Sequence, residues 1–353
     1  MRAAVYHGPG DVRIDDVQDP RIQDPRDVIV KTRTASMCGS DLYLFNGEVE
    51  HMVTPGRTTL GHEICAEVIE VGAGVGRFAM GDRVTFPYSV SCGTCFCCRT
   101  GQTAHCETSG KAIFGFGVAF GDLGGSQAEY VRVPLADGHL EQVPAEIGDE
   151  AALFLSCNLP AAVTAVDAAE IEPTDVVAVI GCGPTGLLAL QLAGLRSGRE
   201  ILAFDRVAGR LDRAKELGAQ PINVDSDEVD SAVAAATSGR GVDKVIEFAG
   251  RGDAFNLAVA ITRPGAVISG GGVYLEQTHP VSLFDMYFKN LQIRLNGFAN
   301  AKMGQWKAMQ LMALGVIDPT SLLTHEVDLA GLPQAAAAFA DREPGFLKML
   351  IRP

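Results

Sequence analysis

The sequence predicts two parts with different architectures, one rich in β-strands and one built as a doubly wound parallel α/β sheet. In the first 150 residues, short apolar runs at 28–30, 64–71 and 130–133 are separated by glycine and proline clusters, and no sustained helical period appears. After residue 151, apolar strand-like runs alternate with helical patterns. The chain has 353 residues, which is long enough for two domains.

The elements of the second part follow one another in a regular order. We predict strands at 176–180, 200–205, 245–248 and 266–269, with helices at 185–197 and 208–217. The final residues return to a mixed pattern, with predicted helices at 303–314 and 332–340 and a closing strand at 348–351. The sequence therefore predicts three segments: 1–155, including a cysteine-rich lobe at about 91–107, then 156–292, and finally 293–353.

The charge balance excludes two classes of partner. The chain has 43 acidic and 29 basic side chains and a formal net charge of −14, which opposes binding to nucleic acid and to an anionic membrane surface. The N-terminus has no apolar signal-peptide core, and glycine and proline interrupt the longest apolar stretch at 176–195. We therefore predict a cytoplasmic protein with no nucleic-acid or membrane partner.

Four cysteines have the spacing of a structural zinc site. Cys92, Cys95, Cys98 and Cys106 form a C-x2-C-x2-C-x7-C pattern in a glycine-containing loop. Four thiolates can surround one tetrahedral zinc and leave no position open for substrate. In a protein that is not exported, clustered cysteines are metal ligands more often than disulfide partners.

A glycine-rich turn predicts a dinucleotide site. Gly181, Gly183 and Gly186, with Pro184 and Thr185 between the last two, follow a predicted strand and open a helix. The first glycine makes the turn, the second lets the backbone approach a pyrophosphate, and the third lets the helix pack on the strand. The helix N-terminus supplies N–H groups and a favourable dipole for the phosphates.

The residue that ends the next strand indicates which nicotinamide cofactor is bound. Asp205 lies 19 residues after Gly186, where a carboxylate accepts hydrogen bonds from the adenosine ribose and repels a 2′-phosphate. We therefore favour NAD. NADP stays open, because Arg206 and Arg210 follow and either could reach a 2′-phosphate.

A second, scattered set of residues has the composition of a catalytic zinc site. Cys38, His62 and Cys157 together form a Cys2His set that leaves a fourth position for water or substrate, although each alone would more often be an ordinary core residue. Glu63 could approach the metal as an alternate ligand. Asp41 is a candidate acceptor for the second nitrogen of His62, which would fix its tautomer.

Taken together, these motifs resemble those of the zinc-dependent medium-chain alcohol dehydrogenase family. The segments at Cys38-Gly-Ser-Asp-Leu, Gly61-His62-Glu63 and Gly81-Asp82-Arg83-Val84, the four-cysteine lobe and the glycine turn occur in the family's order and at similar spacing. The resemblance covers essentially the whole chain. It is nearest to the branch of polyol, threonine and glutathione-independent formaldehyde dehydrogenases, although Cys157 stands where the formaldehyde enzymes carry Asp.

The resemblance implies a fold and a set of roles. It implies a GroES-like catalytic domain that is split by a Rossmann NAD-binding domain and completed by residues 293–353, with two zinc ions per chain. Ser40 matches the hydroxyl that passes the alcohol proton to the cofactor ribose, and Lys348 matches a basic position that contacts the pyrophosphate. Tyr43 stands where many members carry a proton-relay histidine, and a phenol with a pKa near 10 is a poor shuttle at neutral pH.

The expected function is hydride transfer between an alcohol and NAD that yields an aldehyde or ketone. Primary, secondary or aromatic alcohols are the first expectation for the substrate, followed by a polyol, sugar or threonine-like compound and then by formaldehyde or another aldehyde. A homodimer or homotetramer is expected from the resemblance. Two rivals stay open, a zinc-free quinone or enone reductase and a non-enzymatic protein that binds zinc and NAD.

Overall fold

The computed structural model describes all residues 1–353, and it divides into two compact units. The first unit contains Met1–Pro160 and Asn300–Pro353, and the second contains Ala161–Ala299. The sequence places the boundaries at 155 and 292, a few residues earlier. The strand at Gln292–Leu295 crosses the expected second boundary, and the helix at Asn158–Ala169, which begins after the expected first boundary, crosses the observed one.

The first unit is rich in short strands. Its elements are β1 Arg2–Gly8, β2 Asp11–Asp16, β3 Val28–Ser36, α1 Asp41–Phe45, β4 Glu63–Val71, β5 Arg83–Thr85, α2 Phe96–Arg99, β6 Tyr130–Val133, α3 Ala136–His139, β7 Glu141–Gln142 and α4 Asp149–Ala152. Short 3-10 turns lie at Glu50–Met52, Thr103–His105, Val118–Phe120, Leu153–Leu155 and Pro319–Leu322. Helix α5, Asn158–Ala169, begins in this unit and ends in the second.

The second unit alternates strands and helices, and the C-terminal segment then returns to the first unit. The elements are β8 Val177–Ile180, α6 Pro184–Gly194, β9 Leu202–Asp205, α7 Ala208–Glu216, β10 Gln220–Asn223, α8 Val229–Thr237, β11 Val242–Glu247, α9 Gly252–Ile261, β12 Thr262–Gly270, α10 Leu283–Phe288 and β13 Gln292–Leu295. They are followed by α11 Ala301–Ala313, β14 His325–Asp328, α12 Leu332–Ala340 and β15 Met349–Arg352.

The second unit is the doubly wound parallel sheet that the sequence predicts. Its six strands lie in the order β10-β9-β8-β11-β12-β13, and every pair is parallel. The chain order reverses between β8 and β11, which is where such sheets bind dinucleotides. Strands β8 and β9 are completely buried, as expected for strands covered by helices on both faces.

The first unit is organised around a seven-stranded sheet. Strands β14, β15, β3, β4, β5 and β7 are neighbours in that order, and β6 pairs with β3. The last strand, β15, reaches β3 through the pairing of Ile351 with Ala35, so the C-terminal segment completes this sheet. The sheet packs on an apolar core that contains Ile64, Phe86 and Phe114.

No single helix is both long and apolar enough to cross a membrane. One bent pair of helical segments, Asp149–Leu155 and Asn158–Ala169, meets the criteria of length and composition only.

Candidate functional site

Strand pairing brings the scattered zinc-ligand candidates together. The antiparallel pairing of β3 with β4 sets Ser36 opposite Glu63, so the loop that carries Cys38 lies beside His62. Cys157 precedes α5, and its neighbour Ser156 is held against β4, because the hydroxyl accepts a 3.0 Å hydrogen bond from Ile64 N. The ligand atoms of Cys38, His62, Glu63 and Cys157 all lie within 4.8 Å of one another.

These side chains fit a zinc ion. The Sγ atoms of Cys38 and Cys157 are 3.9 Å apart, close to the roughly 3.8 Å edge of a tetrahedron with Zn–S bonds of about 2.3 Å. Both thiols are free, so no disulfide competes. Glu63 is fully buried, and its Oε1 atom has no hydrogen-bond partner, which a metal or a metal-bound water would satisfy.

Asp41 lies where it can orient His62. Its Oδ1 atom is 3.1 Å from His62 Nδ1, which leaves Nε2 as the nitrogen for a metal. Burial lowers the pKa of His62, but the neighbouring Asp41 carboxylate outweighs that effect and raises the pKa well above its usual value. Asp41 Oδ2 accepts hydrogen bonds from Cys38 N at 2.9 Å and from Gln127 Nε2 at 3.4 Å. The sequence gives no signal for Gln127, which is 86 residues from Asp41.

Lys348 lies beside Glu63 in the first unit. Its Nζ atom donates to Glu63 Oε2 at 2.5 Å and to Met37 O at 3.2 Å, and it lies over the ring of Phe154. Burial raises the pKa of Glu63 to about 7, although the ammonium of Lys348 opposes that shift. Burial lowers the pKa of Lys348, but the carboxylate of Glu63 outweighs it and raises the pKa above its usual value. Sequence reasoning misses this pairing, and the expected contact of Lys348 with a pyrophosphate stays a prediction.

Hydroxyl and aromatic groups surround the same cluster. Ser40 Oγ is 3.5 Å from His62 Nε2, and Tyr43 lies half-buried on α1. The rings of Tyr88 and Phe116 lie 6.2 and 5.5 Å from the His62 ring. Burial, with the charges of the two cysteines, raises the pKa of Tyr88 well above its usual value, so the phenol stays neutral. Tyr88 was not found from the sequence because nothing in its local pattern marks it.

The four-cysteine lobe forms a second, separate cluster in the first unit. The ligand atoms of Cys92, Cys95, Cys98 and Cys106 lie within 4.8 Å of one another, with Cys95 Sγ 3.9 Å from Cys106 Sγ and Cys92 Sγ 4.0 Å from Cys98 Sγ. Cys95 N and Cys92 N donate to the sulfurs of Cys92 and Cys106, each at 3.3 Å. Burial raises the pKa of Cys92, but hydrogen bonds from neighbouring threonines outweigh it and lower the pKa to about 5. The lowered thiol pKa of Cys92 suits a zinc ligand, whereas burial raises the pKa of Cys98 to about 12.

The glycine turn has the close contacts that its sequence predicts. Gly181 has a φ of 89°, which favours glycine, and a Cβ on Gly186 would lie 1.8 Å from Gly181 O. Gly183 is the N-cap of α6, which begins at Pro184 with Thr185 next, so the first N–H groups of this helix point toward the turn. The turn therefore fits a dinucleotide pyrophosphate.

Asp205 ends β9 beside this turn, and its carboxylate accepts hydrogen bonds from backbone N–H groups that the sequence does not predict. Its Oδ2 atom accepts a 2.7 Å hydrogen bond from Cys182 N, and Oδ1 accepts from Arg206 N at 2.8 Å and Val207 N at 2.9 Å. Arg210 Nη1 lies 3.9 Å from Oδ2. The carboxylate therefore ties the glycine turn to the end of the neighbouring strand.

Comparison with known proteins agrees with the fold. Residues 24–145 match the model of the alcohol dehydrogenase GroES-like domain, and residues 184–313 match that of zinc-binding dehydrogenases. A zinc-binding alcohol dehydrogenase of Mycobacterium tuberculosis is 35% identical over 353 residues, covering 100% of this chain and 89% of the relative.

Two solved structures show the same architecture. Alcohol dehydrogenase TADH from Thermus sp. ATN1 superposes with a TM-score of 0.93 at 36% identity, covering 100% of this chain and 99% of the other. A zinc-binding dehydrogenase from Sinorhizobium meliloti bound to NADP has a TM-score of 0.83 at 27% identity, covering 100% and 99%. The chain belongs to the zinc-dependent medium-chain dehydrogenases and has their GroES-like and Rossmann-type domains.

Proposed function

We propose that this zinc-type alcohol dehydrogenase oxidises a primary, secondary or aromatic alcohol to an aldehyde or ketone, and reverses the reaction, with NAD as the hydride acceptor. The observation that carries the proposal is the convergence of the ligand atoms of Cys38, His62, Glu63 and Cys157 within 4.8 Å. A zinc-free reductase has no use for such a cluster. A non-enzymatic protein that binds zinc and NAD would have no use for a ligand set with an open fourth position beside Ser40. The proposal assigns one zinc to this cluster and a second, structural zinc to the lobe.

Each residue of the cluster has a role in the proposed reaction. Cys38, His62 and Cys157 would hold the zinc, and Asp41 would fix the orientation of His62. Zinc and NAD would supply Lewis-acid polarisation of the substrate oxygen and acceptance of a hydride. Ser40 Oγ, 3.5 Å from His62 Nε2, would take the hydroxyl proton.

The aromatic residues beside the cluster support an apolar substrate. The rings of Tyr88 and Phe116 flank His62, and both would exclude water from the reacting carbon. Because Tyr88 keeps its proton at neutral pH, it offers no negative charge to a substrate. We therefore propose an aromatic or secondary alcohol before a polyol, a sugar, a threonine-like compound or an aldehyde.

We assign NAD rather than NADP because of Asp205. Its buried carboxylate stands at the end of β9, where it can accept from a ribose hydroxyl and would repel a 2′-phosphate. Family membership alone leaves the cofactor open, since the Sinorhizobium relative carries NADP. Arg206 and Arg210 both approach carboxylates of this unit, which reduces what they can offer to a phosphate.

The glycine turn and Lys348 have proposed roles in holding the pyrophosphate. Gly181, Gly183 and Gly186 would let the backbone approach it, and the first turn of α6 would supply N–H donors from the residues after Pro184. The ammonium of Lys348 donates two hydrogen bonds, to Glu63 and to Met37. An ammonium has three N–H groups, so a third donor is left for the pyrophosphate. We keep its pyrophosphate contact as a proposal, and we propose that water, rather than Tyr43, completes the proton path.

A homodimer or homotetramer is the proposed assembly. Strand β13 is an edge strand, and its residues Ile293 and Leu295 are exposed. Helix α10, next before it in the chain, exposes Phe284 and Tyr287. Pairing of β13 with the same strand of a second copy would satisfy the free edge and cover these side chains.

The test is reduction of NAD measured across primary, secondary, aromatic and polyol substrates, with NADP and an aldehyde in parallel. We expect two zinc ions per chain and turnover with an aromatic or secondary alcohol. Cys38→Ala should abolish turnover while NADH binding survives, whereas Cys97→Ser, which alters a cysteine outside both clusters, should leave turnover intact. Full activity in the Cys38 variant would refute the proposed zinc site.

A further inference from the structure

The carboxyl edge of the six-stranded sheet carries a group of charges around Arg206. Asp205 and Asn223 are paired residues of β9 and β10, so the segments that follow these strands begin side by side. Arg206 follows the first strand and Asp225 follows the second. Asp253 lies in the first turn of α9, which follows β11 in the same sheet.

The guanidinium of Arg206 is bracketed by two carboxylates. Its Nε atom is 3.8 Å from Asp225 Oδ2, and its Nη2 atom is 3.5 Å from Asp253 Oδ2. Asp253 is also 3.2 Å from Arg251 Nε through its other oxygen. All these side chains are exposed, so the two carboxylates offset the charge of Arg206 without burying it.

The carboxylates of Asp225 and Asp253 beside Arg206 affect which of the two nicotinamide cofactors can bind. NADP differs from NAD by a doubly charged phosphate on the 2′-oxygen of the adenosine ribose. Asp205 is placed to accept hydrogen bonds from the hydroxyls of that ribose. Arg206 is the first cation after Asp205, and its backbone N–H is held by the Asp205 carboxylate at 2.8 Å. A free guanidinium there would attract the phosphate, whereas two further carboxylates both repel the phosphate and engage the guanidinium.

We propose that Asp225 and Asp253 are specificity-determining residues that discriminate against NADP by holding Arg206. This inference rests on the proposed use of NAD. It differs from the role of Asp205, because these two carboxylates would act on the 2′-phosphate and on the arginine rather than on a ribose hydroxyl.

The test measures dissociation constants for NADH and NADPH by direct binding, without any substrate. In the Asp225→Asn, Asp253→Asn double variant, NADPH should bind about tenfold more tightly, because Arg206 is then released to pair with the 2′-phosphate, while NADH should change by less than about threefold. Asn keeps the acceptor for the 3.0 Å hydrogen bond from Ala254 N to Asp253, so α9 should begin as before.

Three controls separate the causes. Adding Arg206→Ala to the double variant should remove the gain for NADPH, and raising the salt concentration should shrink it. Asp212→Asn, which neutralises an exposed carboxylate on α7, should change neither constant by more than about twofold.

The outcomes are distinct. Unchanged NADPH affinity in a folded double variant that still binds NADH would overturn the role of Asp225 and Asp253 and leave NAD as the cofactor. A gain that persists after Arg206→Ala would overturn the role of the arginine. Failure of the folded wild-type protein to bind NADH would instead refute the proposed function.

Discussion

The ion pair of Glu63 and Lys348 is the most buried ion pair made by the candidate zinc ligands. The two residues are 285 positions apart, and each is at most 1% exposed. The pairing follows from the sheet, because Lys348 directly precedes β15 and Glu63 begins β4, and both strands pair with β3. Removing two charges from water is costly, so each charge depends on its partner.

Breaking this pair should destabilise the protein strongly. Lys348→Met leaves a buried carboxylate without its cation, and we expect the free energy of unfolding to fall by about 3–5 kcal/mol. The double variant Glu63→Gln, Lys348→Met should recover part of that loss. The measurement is urea denaturation of zinc-loaded protein.

An exposed ion pair serves as the control for the loss of unfolding free energy in that experiment. Arg352 forms exposed ion pairs with Glu326 at 2.6 Å and with Glu150 at 2.8 Å, and Glu326→Gln, which breaks only the first, should cost less than about 1 kcal/mol. An equally small effect of Lys348→Met would contradict the importance of the buried pair.

His139 provides a prediction about pH. The residue is fully buried, Nδ1 lies 3.2 Å from Leu135 O, and Nε2 has no partner. Burial, helped by the charge of Lys302, lowers the pKa of His139 to about 3, below the value of about 6.5 expected in the unfolded chain. Protons therefore bind the unfolded chain more readily, and the stability present above pH 6.5 declines progressively as the pH falls toward 3.

His139→Gln should remove this dependence. Relative to the variant, the wild-type protein should lose about 1.4 kcal/mol between neutral pH and pH 5.5. The measurement is the free energy of unfolding at several pH values. Protonation of the zinc ligands affects both proteins alike, so it cancels in the difference, and parallel curves would show that His139 does not titrate as proposed.

At the scale of elements, the cysteine lobe is joined to the C-terminal segment of its own unit. Asn300 accepts a 3.1 Å hydrogen bond from Ala104 N and donates to Gln102 Oε1 at 3.2 Å, just before α11 begins. Loss of order in the lobe should therefore loosen the start of that helix.

Cys95→Ser should lower both zinc content and thermal stability. We expect zinc to fall from two ions to one per chain, and the melting temperature to fall by about 2–4 °C for each kcal/mol of stability lost. Metal analysis and calorimetry measure the two effects. Cys97→Ser should change neither, since Cys97 belongs to neither cluster. Full zinc content in the Cys95 variant would mean that Cys95 is not a zinc ligand.

The glycine turn provides a second test at this scale. In Gly186→Ala the new Cβ would meet Gly181 O, so the turn must shift, and we expect a loss of about 3 kcal/mol or more together with weakened NADH binding. Gly194, the last residue of the same helix, has open space around it, so Gly194→Ala should be neutral or slightly stabilising. Denaturation and NADH titration compare the two, and equal behaviour would contradict the close contact.

For the whole molecule, features with a local pattern could be predicted and those that depend on distant pairing could not. The cysteine spacing and the glycine turn are contiguous in the chain. Strands β10 and β13 escaped prediction because Gln220–Asn223 contains a proline and Gln292–Leu295 is short and exposed. The contacts of Gln127 and Lys348 arise only when strands far apart in sequence are joined.

The exposed apolar surface of the second unit leads to a prediction about assembly. Phe284 and Tyr287 on α10 are 69% and 75% exposed, and β13 leaves one edge of the sheet unpaired. Such a surface is stable in water when a second copy covers it. In a two-fold assembly each substitution appears twice across the contact, so Phe284→Asp with Tyr287→Asp would remove apolar burial and add like charges.

Light scattering coupled to size-exclusion chromatography should show a smaller particle for this double variant than for the wild-type protein. NADH binding should persist, which separates loss of assembly from loss of folding. Trp306→Asp changes an equally exposed aromatic residue in the first unit and should leave the contact at α10 and β13 intact. A wild-type protein that is already monomeric would refute the proposed assembly. An unchanged particle size in the double variant would mean that the subunits contact each other through another surface.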